Sequence, residues 1–487
     1  MSEKKEKSQA SELKEKLAAK KPSGKLTLDK EDLSKADKFC EGYKQFMKTS
    51  KVEREAVRTT EKIAKENGFV EYEQGKKYNA GDKIYVINRG KNIGLAVIGK
   101  NGTKNGVRLV IAHIDSPRLD LKPNPLYETN DLALLKTHYY GGIKKYQWTT
   151  IPLALHGRVV RIDGECVDVC IGEDENDPCF VVSDLLPHLD KEQATKPMAK
   201  AIEGENLNVL IGSRPFNQDE ESEQVKLNIL NILFEKYGII ESDFLSAELD
   251  LVPAFPPRDV GLDRSLIGAY GHDDKVCAYP GIMAAVEAET PQNTIITFLC
   301  DKEEIGSEGN TGMQSSFLNS FIEDLAEADG EKFRHVMAKS TCLSADVNAA
   351  YDPTYASAFE SNNASYLNGG VIITKYTGAG GKYDTSDASA EYMGFIRRML
   401  ENKKILWQTG ELGKVDGGGG GTIAKYVANH NVDVVDLGVP VLSMHAPYEI
   451  VSKVDVYMAY LAFKAFFEEM ATAIPPALDG GLRFPKA

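Results

Sequence analysis

The chain has 487 residues, 42% hydrophobic and 27% charged, which sets an expectation of two or three water-soluble domains with a large core. Lysine and arginine number 58 against 72 acidic residues, a net charge of -14, which speaks against a nucleic-acid partner, because such a binder needs a basic footprint. No window approaches eighteen uninterrupted apolar residues, so nothing is expected to span a membrane.

Residues 1–30 are rich in lysine and glutamate and predict a solvated tail or frayed helix, without the apolar run a secretory signal requires. Seven cysteines, an odd number in a long chain, fit a reducing compartment better than a disulfide framework, so the expected location is cytoplasmic. From 31 to 67 the spacing of Leu33, Ala36, Phe39, Cys40, Tyr43, Phe46 and Met47 is helical. Strands follow at 83–88, 93–99 and 107–114; the last is nearly all apolar, as a strand buried on both faces would be. The texture then changes over 118–253. An alternating segment at 157–172 folds back around Asp163-Gly164, a hairpin signal, and 225–238 reads as an amphipathic helix. Beyond 253 come a helix at 277–289, strands at 293–300, 340–347, 369–376 and 439–446, and helices at 389–403 and 458–474. Apolar runs alternating with helices predict an α/β fold, a mainly parallel or mixed sheet covered on both faces, with 118–253 inserted. No internal repeat is visible, and low complexity is confined to five glycines at 417–421.

Four of these strands end in residues of ligand type. His113 and Asp115 follow the first, Asp301, Glu303 and Glu304 the second, Asp346 the third and His445 the fourth; Asp273 and Asp274 open a helix. Ligands of α/β sheets bind beyond the carboxyl ends of strands, so these positions can converge. Singly, each has an ordinary reading, as a structural histidine, a helix cap or a solvated acidic loop. Together, two histidines and at least three carboxylates form a mixed nitrogen and oxygen set suited to zinc or a similar divalent ion. Glu303 and Glu304 on an irregular turn can divide two tasks, one binding metal and the other taking a proton from water. Asp115 can accept the second ring N–H of His113. There is no HExxH helix for a mononuclear zinc endopeptidase, and neither phosphate-loop spacing is satisfied by GAGGK.

The ordered segments AHIDSP, GHDDK, DKEEIGSEG, SAD and SMHAPYE resemble the aspartyl aminopeptidase family, which includes the vacuolar aminopeptidases, over roughly residues 33–470. The resemblance implies a zinc-exopeptidase-type mixed sheet sandwiched by helices and interrupted by a β-rich dimerisation domain. The divisions would be a tail at 1–30, a split catalytic domain at 31–117 and 254–487, and the insert at 118–253. It implies two divalent ions, zinc first, with cobalt or manganese as alternatives. Asp273 would bridge them, His113 and Asp346 would complete one site, and Glu304 and His445 the other. Glu303 would be the general base and Asp115 would orient His113. The substrates implied are peptides, cleaved after the N-terminal residue, and the assembly is a dimer-based tetrahedral dodecamer. In the family a histidine of the insert reaches a neighbouring subunit's site; His188 stands at the matching place, where it is otherwise an exposed loop residue. Lys375, with Lys382 as a second candidate, lies near the lysine that selects acidic N-termini.

The chain also departs from the family. The usual aspartate-asparagine pair is Asp273-Asp274, preceded by His272, each a further titrating group near the metals or an ordinary supporting residue. Ala349 and Asp352 stand where histidines are usual. Tyr448-Glu449 replaces arginine-glutamate, and the glycine-threonine loop is DGGGGGT at 416–422. These changes bear on substrate preference, so a neutral or broad preference is the alternative to an acidic one. A non-catalytic self-assembling shell is the alternative of another class, and an unliganded Glu303 argues against it.

Overall fold

In the computed structural model, residues 8–18, 27–217 and 221–469 are described. The N-terminal segment forms a helix, Gln9–Leu17, capped by the Ser8 hydroxyl and with no buried side chain. The rest of the expected tail, 1–7 and 19–26, lies outside the described residues, as does 470–474 of the closing helix. That helix runs Lys453–Glu468, one turn earlier than its apolar pattern suggests, because Ser452 caps it.

The expected single helix over 31–67 is two, Lys30–Lys48 and Glu53–Glu66. Neither glycine nor proline marks the break. Lys51 causes it by leaving the helical path: it is 3% exposed, and its ammonium donates to the carbonyls of Pro253 (3.0 Å) and Phe255 (2.8 Å). A buried ammonium must find such acceptors, and intrahelical spacing offers none.

A nine-stranded sheet organises the chain around Arg108–His113. In spatial order it runs Val70–Glu71, Lys83–Asn88, Asn92–Val97, Ile295–Cys300, Arg108–His113, Thr341–Ser344, Asp433–Gly438, Val371–Thr374 and Trp407–Thr409. Pairing is parallel through its centre, from Ile295–Cys300 to Asp433–Gly438, and antiparallel on either side. Alternate residues of the central strand serve two cores. Val110 and Ala112 pack with helices Lys30–Lys48, His272–Val286, Ala390–Asn402 and Lys453–Glu468; Leu109 and Ile111 pack with Phe317–Ala328 and Ala424–Ala428. Burial on both faces explains the unbroken apolar run. This is the mixed, helix-covered sheet expected.

Two corrections apply to its strands. Asp433–Gly438, central in the sheet, escapes a sequence reading because Asp433 and Asp436 interrupt its apolar character. The expected 439–446 strand is shorter, Pro440–Leu442, and belongs to a separate five-stranded sheet ordered Arg258–Val260, Leu266–Ala269, Glu449–Ser452, Pro440–Leu442 and Asn348–Ala349. His445 therefore projects from the turn between two antiparallel strands of that small sheet.

A third, seven-stranded sheet is ordered Cys166–Ile171, Leu153–Val160, Ala247–Pro253, Arg118–Thr129, Leu132–Tyr140, Val209–Gly212 and Val181–Val182. Its strands lie between residues 118 and 253, and they share one core that also takes in Val52 and Tyr270 and against which helix Gln224–Tyr237 packs. The expected hairpin pairs Val160 with Cys166 and Leu155 with Ile171. No helix among the described residues is long and apolar enough to cross a membrane.

Candidate metal centre

The last residue of the central strand, His113, is 1% exposed. Its Nδ1 lies 3.1 Å from the Asp115 carbonyl and 3.3 Å from the Asp115 carboxylate, both acceptors, so the ring proton belongs on Nδ1. The lone pair of Nε2 then faces Asp273 Oδ1 at 3.1 Å, Glu303 Oε2 at 3.8 Å and Asp346 Oδ1 at 3.9 Å. His445 repeats the arrangement. Its Nδ1 donates to the Gly142 carbonyl at 2.8 Å, and Nε2 faces Asp273 Oδ2 at 3.2 Å and Glu304 Oε2 at 3.4 Å. The two carboxylate oxygens of Asp273 thus address different histidines.

An acceptor nitrogen surrounded by acceptor oxygens needs a proton or a metal cation between them. Glu304 Oε1 strengthens this point, being buried with no hydrogen-bond partner among the described residues. The charge balance agrees. Burial, followed by the nearby Asp115 and Asp273 carboxylates, pushes Glu303 up to about 7 against the pull of His113. Burial also raises Glu304 and Asp346 well above the usual carboxylate range. Burial opposes a charged His445, yet Asp273 and Glu304 outweigh it and hold the imidazole up at about 10. Such a set lacks positive charge, and divalent ions supply it. Three trios here have donor atoms mutually within 4.8 Å: His113 with Asp273 and Asp346, His113 with Glu303 and Glu304, and Asp273 with Glu304 and His445. Mixed nitrogen and oxygen donors in such trios fit zinc.

The supporting groups come from distant parts of the chain. Asp115 accepts the backbone N–H of Glu303 at 3.1 Å and of Glu304 at 3.2 Å, and the Tyr140 hydroxyl at 2.8 Å. It therefore fixes the glutamate turn as well as His113. Glu449, 1% exposed, accepts the N–H of Asp273 at 3.0 Å and of His445 at 2.7 Å, tying two of the facing groups together. Helix His272–Val286 becomes regular only after Asp274, which leaves Asp273 free of helical geometry at the site's centre. His272 is wholly buried between the Tyr43 hydroxyl (2.6 Å) and the Ile267 carbonyl (3.1 Å) and does not enter the cluster. Asp301 stays apart too, accepting from the Thr311 hydroxyl at 2.7 Å. Asp352 caps a short turn by accepting the Thr354 N–H.

These residues border a cavity of about 430 Å³ lined by Asp273, Glu303, Glu304, Asp346 and His445. Gly419, Gly420, Gly421, Thr422, Lys425 and Tyr426 also line it, with Val347, Leu412 and Met444 as apolar lining. Part of the glycine run therefore serves as cavity wall: at Gly419 (φ +115°) a Cβ would fall 2.1 Å from the Gly378 carbonyl oxygen.

Lys375 and Lys382 do not line this cavity. Both ion-pair with Asp387, Lys382 at 2.9 Å. The one lysine or arginine among the described lining residues is Lys425, whose contact with the exposed Asp384 is 3.5 Å. His188 is an exposed loop residue outside the cavity lining. Sequence reasoning missed Lys425, Glu449, Tyr140 and Gly142 as contributors. Only Glu449 left a trace, as an acidic residue four places after His445.

Gly438, at the end of its strand, shows how closely the site is built. A Cβ there would fall 1.7 Å from the Asp346 carbonyl oxygen. Gly438→Ala should cost about 1–3 kcal/mol, read as a lower urea midpoint with unchanged m, together with weaker metal retention as the Asp346 loop shifts.

The family model described as Aminopeptidase I zinc metalloprotease (M18) matches residues 46–467. A probable M18 family aminopeptidase 1 of Clostridium acetobutylicum is 49% identical over 446 residues, 90% of this chain and 96% of the relative. The crystal structure of an M18-family aminopeptidase from Thermotoga maritima superposes with a TM-score of 0.89 at 44% identity, covering 93% of this chain and 100% of the other. The S. cerevisiae mApe1 dodecamer is 20% identical with a TM-score of 0.72, covering 90% of this chain and 97% of that one, and shares the fold.

Proposed function

The chain belongs to the M18 family of zinc metallo-aminopeptidases, and from that membership we propose that it hydrolyses N-terminal peptide bonds through a two-zinc site with Glu303 as general base and prefers acidic N-terminal residues. The observation that carries the reading is the approach of two oriented imidazoles to opposite oxygens of Asp273 at the wall of one cavity. His113, Asp346 and Asp273 would hold one ion, and His445, Glu304 and Asp273 the other. When bound, zinc supplies the Lewis acidity that polarises the scissile carbonyl and makes water a usable nucleophile near neutral pH.

Although Glu303 also comes within ligand range of His113, this assignment leaves it without ligand duty. It accepts the proton of the attacking water and returns it to the departing amine. Asp115 holds the Glu303 backbone and the His113 ring, so it acts by positioning. Glu449 does the same for Asp273 and His445.

The acidic preference rests in our reading on Lys425, which faces the cavity, whereas Lys375 is neutralised by Asp387. A panel of aminoacyl chromogenic substrates (Asp, Glu, Leu, Lys, Ala) tests it, with zinc-loaded protein and a chelated control. Cleavage should be metal-dependent and led by Asp or Glu. Lys425→Met should lower kcat/KM for those two about 10- to 100-fold, the worth of one charge-assisted hydrogen bond, and leave Leu unchanged. Cleavage led by Leu or Ala would transfer the selection to Val347, Leu412 and Met444 and end the acidic reading. We further assign the body between 118 and 253 as the dimerisation domain of a tetrahedral dodecamer; the yeast relative is a dodecamer. His188 would reach a neighbouring subunit's cavity, where the substrate lies.

A further inference from the structure

A second group of ligand-type side chains lies where helix Glu53–Glu66 crosses the seven-stranded sheet. The helix is fastened there by Arg54 to Glu248 and by Arg58 to Asp168, the latter at 2.7 Å. Glu55, between those two arginines, points to the sheet. His156 and Cys170 are direct partners across antiparallel strands, so their side chains share one face. His156 is 1% exposed. Its Nδ1 lies 2.7 Å from Glu55 Oε1 and its Nε2 lies 3.1 Å from Glu173 Oε1. One donor atom each of Glu55, His156 and Cys170 lie mutually within 4.8 Å.

We propose that Glu55, His156 and Cys170 form a further binding site for a zinc-class divalent ion, joining helix Glu53–Glu66 to the β-hairpin. The donors are one oxygen, one nitrogen and one sulfur, a set that favours zinc over magnesium or calcium. Three features prepare the site. Glu173 accepts the Nε2 proton and leaves Nδ1 as the ligand atom, the carboxylate-histidine-metal pattern. The second oxygen of Glu55 accepts the Lys51 N–H at 3.0 Å, which sets the carboxylate's direction. The Lys51 ammonium, 3.8 Å from Glu173, directs its hydrogen bonds to two carbonyls and makes none to the ligand trio. Exposure of Cys170 admits the ion and a water in the remaining position. On binding, the Cys170 thiol releases its proton to solvent and the sulfur donates as thiolate. None of these ligands belongs to the centre at the cavity, so the ion would act on the seam between helix and hairpin and not on the reaction.

Cobalt(II) loading of the full chain isolates this site, because among the described residues no cysteine lines the cavity and so none there can give a thiolate band. The expected result is a thiolate-to-cobalt charge-transfer band in the near ultraviolet. Cys170→Ser should abolish it, lower the zinc content by about one ion per chain and keep aminopeptidase turnover. Cys166→Ser, on the same strand, should keep the band. A wild type without the band, or a band that survives Cys170→Ser, overturns the proposal, and His156 is then a proton-bearing bridge between Glu55 and Glu173.

Discussion

Glu303→Gln should retain the zinc content of the wild type and lose about a hundred- to ten-thousand-fold in kcat, the range spanned by a single general base. The amide has nearly the carboxylate's volume but cannot accept a proton, so the change isolates proton transfer from packing. The Glu303 N–H still reaches Asp115, because that contact is made by backbone. KM should therefore change little, since the groups facing the substrate stay in place. Metal analysis beside steady-state kinetics separates the outcomes. Lost zinc would make Glu303 a ligand, and near-normal turnover would assign the base to another group.

Asp273→Asn should act by the opposite route, removing the ions. Asp273 is the residue whose two oxygens face both imidazoles. The amide supplies one weak oxygen donor where two charged ones stood. Zinc content should fall sharply, with activity lower by on the order of a thousand-fold or more, the several kcal/mol a metal contributes to stabilising developing charge. Excess zinc should restore Asp273→Asn only partly, whereas it should not help Glu303→Gln at all. Wild-type zinc content in Asp273→Asn would sink the bridging role. The two variants together distinguish a damaged proton path from a damaged ligand set.

The α/β character was legible because it rests on short-range pattern. A run such as VRLVIAH has no polar side, and only a strand covered on both faces can bury it. The convergence of His113, Glu303, Glu304 and Asp346 was legible for the same reason: each ends a strand of one sheet or lies within four residues of such an end, and parallel strands bring such ends to one edge. His445 reaches that edge by another path. The strand before it belongs to the small sheet, and only the folding of that sheet against the large one carries His445 to Asp273.

What the sequence by itself determined was the alternation of apolar strand and helix and the chemical kinds of side chain at the strand ends, since both depend on residues adjacent along the chain. The tertiary structure alone decided which proton each histidine carries and which cation faces the cavity. Gly142 and Glu449 act on His445 through a backbone carbonyl and a buried carboxylate, one 303 residues away and the other across a turn. Lys375 and Lys425 are alike as sequence; the first pairs with Asp387 away from the cavity, and the second lies in the cavity lining. Hydrogen bonds and ion pairs act over a few ångströms of space, and separation along the chain says nothing about those ångströms until the sheets have packed.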